Sequence, residues 1–540
     1  MSRNSLESWQ QLEAMAVAID GQSIKHFFAQ DPERFSKYHI PGNGLLFDYS
    51  KNRLSDDIKK TLLQLAEDCE VERWRDAMFN GDKINRTEGR SVLHTALRSK
   101  HCPDEGINRQ VQQELEHIAS FSTRLRAGKL QGYSGLAITD VVCLGVGGSN
   151  LGPEMITDAL PAQPADLLNM HYISSVDAVP LETLLAGLNA ETTLFIISSK
   201  TFTTTETLLN AEAGKRWLLS RAPASAVAKH FVAVTEDVEK ALSFGVALAY
   251  CFKIWDWVGG RFSLWSAIGL PIAIARGFDT FESLLQGAGA MDDHFRSAPI
   301  EQNMPMMMAL IGVWNSTFLN IDTLAILPYD QNLHHLPAYL QQAEMESNGK
   351  SVNWRGEALT YKTCPILWGQ TGINGQHAFY QLLHQGTHEV AADFIASANS
   401  YGKSEIHHET LLANCLAQSQ ALMNGVNAAE INKDLESHGM TADQIEQLLP
   451  HKVHAGNRPS NTLIMDRLDA YHLGALVALY EHKVFVQGII WEIYSFDQWG
   501  VQLGKLLAGK LLYDVQSKDK ISEYESSTNG LLNYLKSFKR

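Results

Sequence analysis

Asp140–Gly152 reads D-V-V-C-L-G-V-G-G-S-N-L-G, and Thr193–Thr207 reads T-L-F-I-I-S-S-K-T-F-T-T-T-E-T. Each is a short apolar run that ends in a glycine-rich or hydroxyl-rich loop. Each is followed by a helical pattern, Glu154–Leu160 in the first case and Leu208–Leu219 in the second. Strand, polar loop and helix in repetition is the texture of an α/β fold built on a parallel sheet. The alternation returns at Thr323–Leu327 and Pro365–Trp368, which are strand-like, and at Ala378–His384, which is helix-like. The expected class is therefore α/β, with two parallel-sheet units in one chain. About 110 residues at the start read as helices and loops, with amphipathic stretches such as Asp57–Asp68. Arg276–Asn303 reads as a link between the units, and about thirty residues at the end as a charged helical arm.

A chain of 540 residues is too long for one simple core, so two or three domains are expected. The 45 Lys and Arg residues stand against 60 Asp and Glu, a net charge of −15. That balance argues against a nucleic-acid partner, which needs a basic footprint, but a few local cations suffice for a small anionic ligand. The six cysteines include no C-x-x-C pair, which suggests reduced thiols inside a cell. The first twenty residues have no long apolar core of the kind a signal peptide needs. The apolar stretch Ala475–Ile490 is interrupted by Glu481, His482 and Lys483. A soluble cytoplasmic protein, with no membrane association, is the expectation.

In open parallel sheets ligands sit beyond the carboxyl ends of the strands, so the loops there carry the chemistry. In Ser198–Thr207, hydroxyl side chains surround Lys200, and a helix follows at once. Unpaired N–H groups at a helix start, hydroxyl donors and one cation together make a seat for phosphate. A hydroxyl run elsewhere is more often a simple cap; its place between an apolar strand and a helix is what favours the seat. Gly145–Gly152 is a second such loop. It has Asn150 where the dinucleotide fingerprint needs glycine, and no Gly-Lys-Ser/Thr of a nucleotide P-loop. Gly259-Gly260-Arg261 frees the backbone beside an arginine that can point into a cleft, ahead of a helix-like run Phe262–Ile268.

Glu344-Met-Glu346-Ser-Asn-Gly-Lys350 places two carboxylates beside a turn signal, candidates for a general base. Trp491–Lys505 reads as one helix, with Trp491, Phe496, Trp499 and Leu503 as its apolar stripe and Gln498 and Lys505 sharing a face. His334-His335 and His407-His408 are adjacent pairs that diverge on a helix, and His384 and His388 flank Gly386. No metal site is read from them.

Taken together, these stretches resemble the phosphoglucose isomerase family. Trp255–Leu270, WDWVGGRFSLWSAIGL, is similar to one family signature nearly letter for letter, and Gly488–Lys505, GIIWEIYSFDQWGVQLGK, to the other. DYSKN at Asp48, KINRTEGRSVLHTALR at Lys83, GVGGSNLGP, SSKTFTTTET, QQAEMESNGK at Gln341, NGQHAFYQLLHQGT at Asn374 and GNRPSN at Gly456 keep the family's order. Two departures are Asn150, where Asp is frequent after Gly-Gly-Ser, and Ala343-Glu344, where Gly-Asp is frequent. The second sets another carboxylate near the presumed base, which is expected to raise its pKa.

The resemblance implies two sugar-isomerase (SIS) type α/β/α sandwich domains with helical N- and C-terminal segments. Their bounds are 1–110, a helical segment packing on the second domain, then 111–280, 281–510 and a C-terminal arm at 511–540. It implies an aldose–ketose isomerase acting on glucose 6-phosphate and fructose 6-phosphate, a homodimer with shared active sites, no metal and no organic cofactor. It implies that Ser149, Ser199, Lys200, Thr201 and Thr204 hold the phosphate, that Gln342 and Gln498 line the sugar, and that Gly148 and Gly260 also bind the substrate. It implies Glu346 as base, Arg261 beside the developing negative charge, and His377 with Lys505 in ring opening. The alternative is a non-catalytic sugar-phosphate-binding regulator of the same fold.

Overall fold

The computed structural model describes residues 3–99, 102–164 and 166–538, which form two compact units, one up to Ser495 and one from Phe496 onward. The first unit holds two sheets. One has five strands, β3 (Asp140–Leu144), β4 (Asn169–Ile173), β5 (Thr193–Ser198), β6 (Phe231–Thr235) and β7 (Cys251–Lys253), in the order β4-β3-β5-β6-β7 and parallel throughout. The other has six, β1 (His39–Gly42), β2 (Leu45–Asp48), β8 (Thr323–Pro328), β9 (Ile366–Gly369), β10 (Ala391–Asn399) and β11 (Ser460–Arg467), in the order β1-β2-β11-β10-β8-β9. Its last four strands are parallel, and the β1–β2 hairpin adds antiparallel to β11. The expected α/β class with two parallel-stranded sheets is what the chain adopts.

β5 and β6 are buried at every position, as parallel strands covered on both faces require. The helices between the strands supply that cover. Thr205–Leu219, for instance, sets Ala211, Gly214 and Leu218 inward, and Gly214 lies against the Phe195 ring of β5.

Two features differ from the sequence reading. Arg276–Asn303 is more than a link: Phe278–Ser297 is a helix whose Phe281, Leu284, Leu285, Met291 and Phe295 enter the core. It packs on Ala470–Ile490, which is buried along nearly its whole length. A Cβ on Gly287 would lie 1.8 Å from the Tyr471 carbonyl oxygen, and one on Gly474 2.1 Å from that of Leu284, so glycine on each helix permits the backbones to touch. Among the described residues Ala470–Ile490 alone is long and apolar enough to cross a membrane, and it is spent on this core. Trp491–Lys505, read as one helix, is not continuous. Glu492 at φ 59° stops the preceding helix, a short turn spans Trp499–Val501, and a new helix runs Gln502–Gln516. The supposed stripe therefore does not form, with Trp491 buried and Trp499 and Leu503 exposed.

A buried charge network sits where the N-terminal segment meets the core helices. Arg98 donates to both Asp292 oxygens at 2.8 Å and to Glu481 at 2.6 Å, while its guanidinium lies 4.3 Å from the Trp265 ring centre. Trp265 Nε1 donates to the other Glu481 oxygen at 2.8 Å, and His482 Nε2 lies 2.6 Å from Asp292. Burial alone would raise the Asp292 carboxyl; Arg98 and the His482 hydrogen bond hold it down at about 2. Removing one partner of such a set strands the others in low dielectric, at about 3–5 kcal/mol. Arg98→Ala is therefore expected to lower unfolding stability by about that amount in urea titrations. A loss below about 1 kcal/mol would show the network to be incidental.

Candidate functional site

In a sheet ordered β4-β3-β5-β6-β7 the winding direction reverses between β3 and β5. The loops after those two strands part there and leave a crevice. They are Gly145–Ser149 and Ser199–Thr204, the two singled out from sequence.

Ser199 is buried and its Oγ donates to Thr204 Oγ1 at 3.1 Å, while the Thr201 and Thr203 hydroxyls lie 2.6 Å apart. Thr204 is the cap residue of Thr205–Leu219, with extended backbone and no side-chain bond to the amides that follow. The first-turn N–H groups of that helix and the loop hydroxyls thus form the donor set an oxyanion needs. Lys200 differs from expectation. Its Nζ donates to the backbone carbonyls of Asp256 and Val258, each at 3.0 Å, so the ammonium braces the neighbouring Gly259–Arg261 turn. Burial, and then Arg90, lowers its pKa.

The Gly145–Ser149 loop abuts that same turn. A Cβ on Gly148 would lie 2.1 Å from Gly260 O and 2.8 Å from Arg261 N, and one on Gly147 would meet Gln342 Nε2 at 2.9 Å. Hence Gly148, Gly260, Arg261 and Gln342 gather at the crevice mouth. Ser149 closes the loop through its N–H to Val146 O, and Asn150, the departure from the family pattern, donates to Glu154 at 2.8 Å.

Gln342–Glu346 forms one π-helical turn continuing the helix Leu336–Gln341. Such wide turns carry an extra residue and are frequent at functional sites. Here Gln342 Nε2 donates to Glu346 Oε2 at 3.0 Å, and Arg261 Nη1 lies 3.6 Å from the same oxygen. The Arg261 side chain is 1% exposed and that of Glu346 21%, so the carboxylate is the accessible member of the pair. Arg261 Nε donates to Ser347 Oγ at 2.6 Å, Nη2 donates to the Ser495 carbonyl, and Ser347 Oγ donates to Ala343 O at 2.6 Å. Ser347 and Ser495 were not singled out from sequence, although both lie inside quoted motifs.

Glu344, expected beside Glu346, turns instead into the core, where both its oxygens accept from Lys483 at 2.7 and 2.6 Å. Burial raises its pKa against the pull of that lysine.

His377 is exposed at the end of the short helix Gly372–Gln376, in the half of the unit that carries the six-stranded sheet. Gln498 and Lys505 belong to the second unit, Gln498 beside the short turn and Lys505, exposed, on the helix Gln502–Gln516. Glu346, Arg261, Gln342, Gly148, Gly260 and the two loops thus come together within the first unit.

An open parallel sheet with donor-lined loops at its reversal and a carboxylate–guanidinium pair beside them defines a doubly wound α/β protein with a crevice at its switch point. The family model for phosphoglucose isomerase matches residues 48–532, and the chain belongs to that family. It is 53% identical to the glucose-6-phosphate isomerase of Pseudoalteromonas translucida over 99% of each chain. It is 51% identical to glucose-6-phosphate isomerase 1 of Colwellia psychrerythraea over 100% of each. The crystal structure of a glucose-6-phosphate isomerase from Chlamydia trachomatis superposes with a TM-score of 0.85 at 31% identity, over 99% of each chain.

Gly148→Ala is expected to push the loop off the Gly259–Arg261 turn. Displacements on the order of 1 Å at a positioning loop cost about 10²-fold in rate. Turnover should fall accordingly in a steady-state assay; an unchanged rate would place the substrate elsewhere.

Proposed function

We propose that this chain interconverts D-glucose 6-phosphate and D-fructose 6-phosphate by ring opening followed by proton transfer between C2 and C1. The observation that carries the reading is the accessible Glu346 carboxylate, held by Gln342 at 3.0 Å beside the buried Arg261. That pair lies on the segments that pack against the Gly145–Ser149 loop. The regulator alternative has no comparable support, since a binder needs no base poised in this way.

The phosphate does not react. Ser149, Ser199, Thr201, Thr204 and the backbone of Gly148 and Lys200 bind it, and that binding energy orients the sugar. His377 and Lys505 handle the anomeric proton and the ring oxygen, which must respectively lose and gain a proton for the ring to open. Glu346 then takes the C2 proton and returns it to C1 across one face of a planar cis-enediolate. Gln342 holds the carboxylate in place, and with Gln498 it lines the sugar. Negative charge that develops on the enediolate oxygens is met by Arg261, fixed by Ser347 and Ser495 so that no reorganisation is needed at the moment of transfer.

The segments 1–110, 111–280, 281–510 and 511–540 are proposed as the working divisions. The five-stranded sheet falls wholly within the second, while the six-stranded sheet draws β1 and β2 from the first. The protein acts in the cytoplasm as a homodimer. The exposed position of His377 supports a role in the partner's site.

Glu346→Gln keeps size and removes basicity. Isomerisation should fall by about 10³-fold with fructose 6-phosphate binding little changed, as read by steady-state kinetics and inhibitor titration. Normal turnover would sink the assignment.

The shared site is tested by mixing Glu346→Gln with His377→Ala after reversible dissociation. About half the dimers become mixed, and in each of these one site is intact, so activity should rise far above the mean of the parents. If mixed dimers form and activity stays at that mean, His377 serves its own chain.

A further inference from the structure

His334 and His335 do not lie on one helix, so the divergence expected of adjacent helical residues does not apply. His334 follows the short turn Gln331–Leu333, and His335 is the cap residue of Leu336–Gln341. Their rings lie side by side, centres 3.9 Å apart. Both face Asp158, near the end of the helix Leu151–Ala159: Oδ2 is 3.1 Å from His335 Nε2 and 4.0 Å from His334 Nε2. The three ligand atoms all lie within 4.8 Å of one another.

The His334 tautomer carries the argument. Its Nδ1 lies 3.2 Å from the Gln331 carbonyl oxygen, which only accepts, so Nδ1 holds the proton. In the neutral ring, Nε2 is then the free electron-pair donor, 4.0 Å from Asp158 Oδ2, which already accepts from His335 Nε2 at 3.1 Å. A divalent cation taking the place of that proton would have all three groups as ligands. The Gln331 carbonyl plays the part that fixes ring and tautomer in zinc-bound histidines. Bonds of about 2.0–2.2 Å to one ion would bring the ligand atoms to roughly 3.3 Å apart, within reach of small side-chain rotations here. Side-chain exposures of 41%, 33% and 42% leave the group open to solvent.

We propose that Asp158, His334 and His335 form a binding site for a divalent transition metal, zinc above all, with water in the remaining position. Two imidazoles and a carboxylate suit zinc, copper or nickel and disfavour magnesium and calcium, which take oxygen ligands. The site is separate from the isomerase chemistry. It joins the helix that follows the Gly145–Ser149 loop to the segment that leads into Gln342–Glu346, at the ends of both that lie away from the substrate groups in sequence. Bound metal would clamp one element to the other.

The full-length protein, stripped with chelator, is titrated with zinc against a chromophoric competitor and with cobalt by visible absorption. The wild type should take up one ion per chain, and magnesium should not displace it. His334→Ala, His335→Ala and Asp158→Asn should each weaken zinc binding by at least about tenfold, while their isomerase activity without zinc shows that they fold. The thermal midpoint should rise with zinc in the wild type and not in His335→Ala. If zinc binds the three variants as it binds the wild type, the ion sits among other residues and the proposal fails. It fails equally if the wild type takes up no stoichiometric zinc at modest molar excess.

Discussion

Arg98 is the point on which distant parts of the chain converge. Its guanidinium satisfies Asp292 and Glu481 at once and lies over the Trp265 ring, tying the N-terminal segment, the arginine-bearing turn and two core helices into one knot. Every member is buried, so none can relax toward water. Nearby, Lys483 pairs with Glu344, and Asp393 accepts from Tyr480 and Asn461. Paired and hydrogen-bonded charges are tolerated in a core where single ones are not, and they fix register more sharply than apolar contacts do.

The crevice hangs from this frame. Trp265 lies four residues beyond Arg261, and Glu344 lies two before Glu346. Arg261 and Glu346 are therefore each a short backbone span from a buried charge pair. Glu344 and Glu346 show how one segment divides its labour: one carboxylate anchors the π turn inside, and the other stays accessible. Lys200 is used in a similar way, its ammonium holding backbone carbonyls of the arginine turn. Lys200 thereby ties the Ser199–Thr204 loop to that turn.

Much of this was legible in the sequence. β3, β5 and β8 announce themselves as short apolar runs, because a covered parallel strand has no polar side to show. β9 is short and apolar too, although as an edge strand it leaves Ile366 exposed. The β1–β2 hairpin passed unread, although Asn43-Gly44 between its strands is a strong hairpin signal and both residues have positive φ. It is an edge addition to a distant sheet, and no local pattern says which sheet a hairpin joins. The reading of Trp491–Lys505 as one helix failed for a different reason. Aromatic spacing imitated a stripe, while the break depends on one left-handed residue, Glu492, that no periodicity exposes. The phosphate-type loop and the Glu346 segment were marked by residue chemistry alone. His377 carries no such mark: a lone histidine on an exposed helix end has no local signature, and only its motif singled it out. The Lys200 ammonium was assigned to the anion by its surroundings, whereas its direction depends on tertiary packing against Asp256 and Val258.

The central position of Ala470–Ile490 bears on biosynthesis. That helix fills the middle of the first unit, and Phe278–Ser297 is apolar on the face awaiting it. Ribosomes add about 5–20 residues per second, so the earlier helix emerges many seconds before its partner. Throughout that interval the nascent chain carries a long uncovered apolar groove with Asp292 and Arg98 inside it. The five strands of β3–β7 can close meanwhile, since all their partners are already out. The rest of the core waits for Ala470–Ile490, and between those two helices the emerging chain keeps its apolar face exposed.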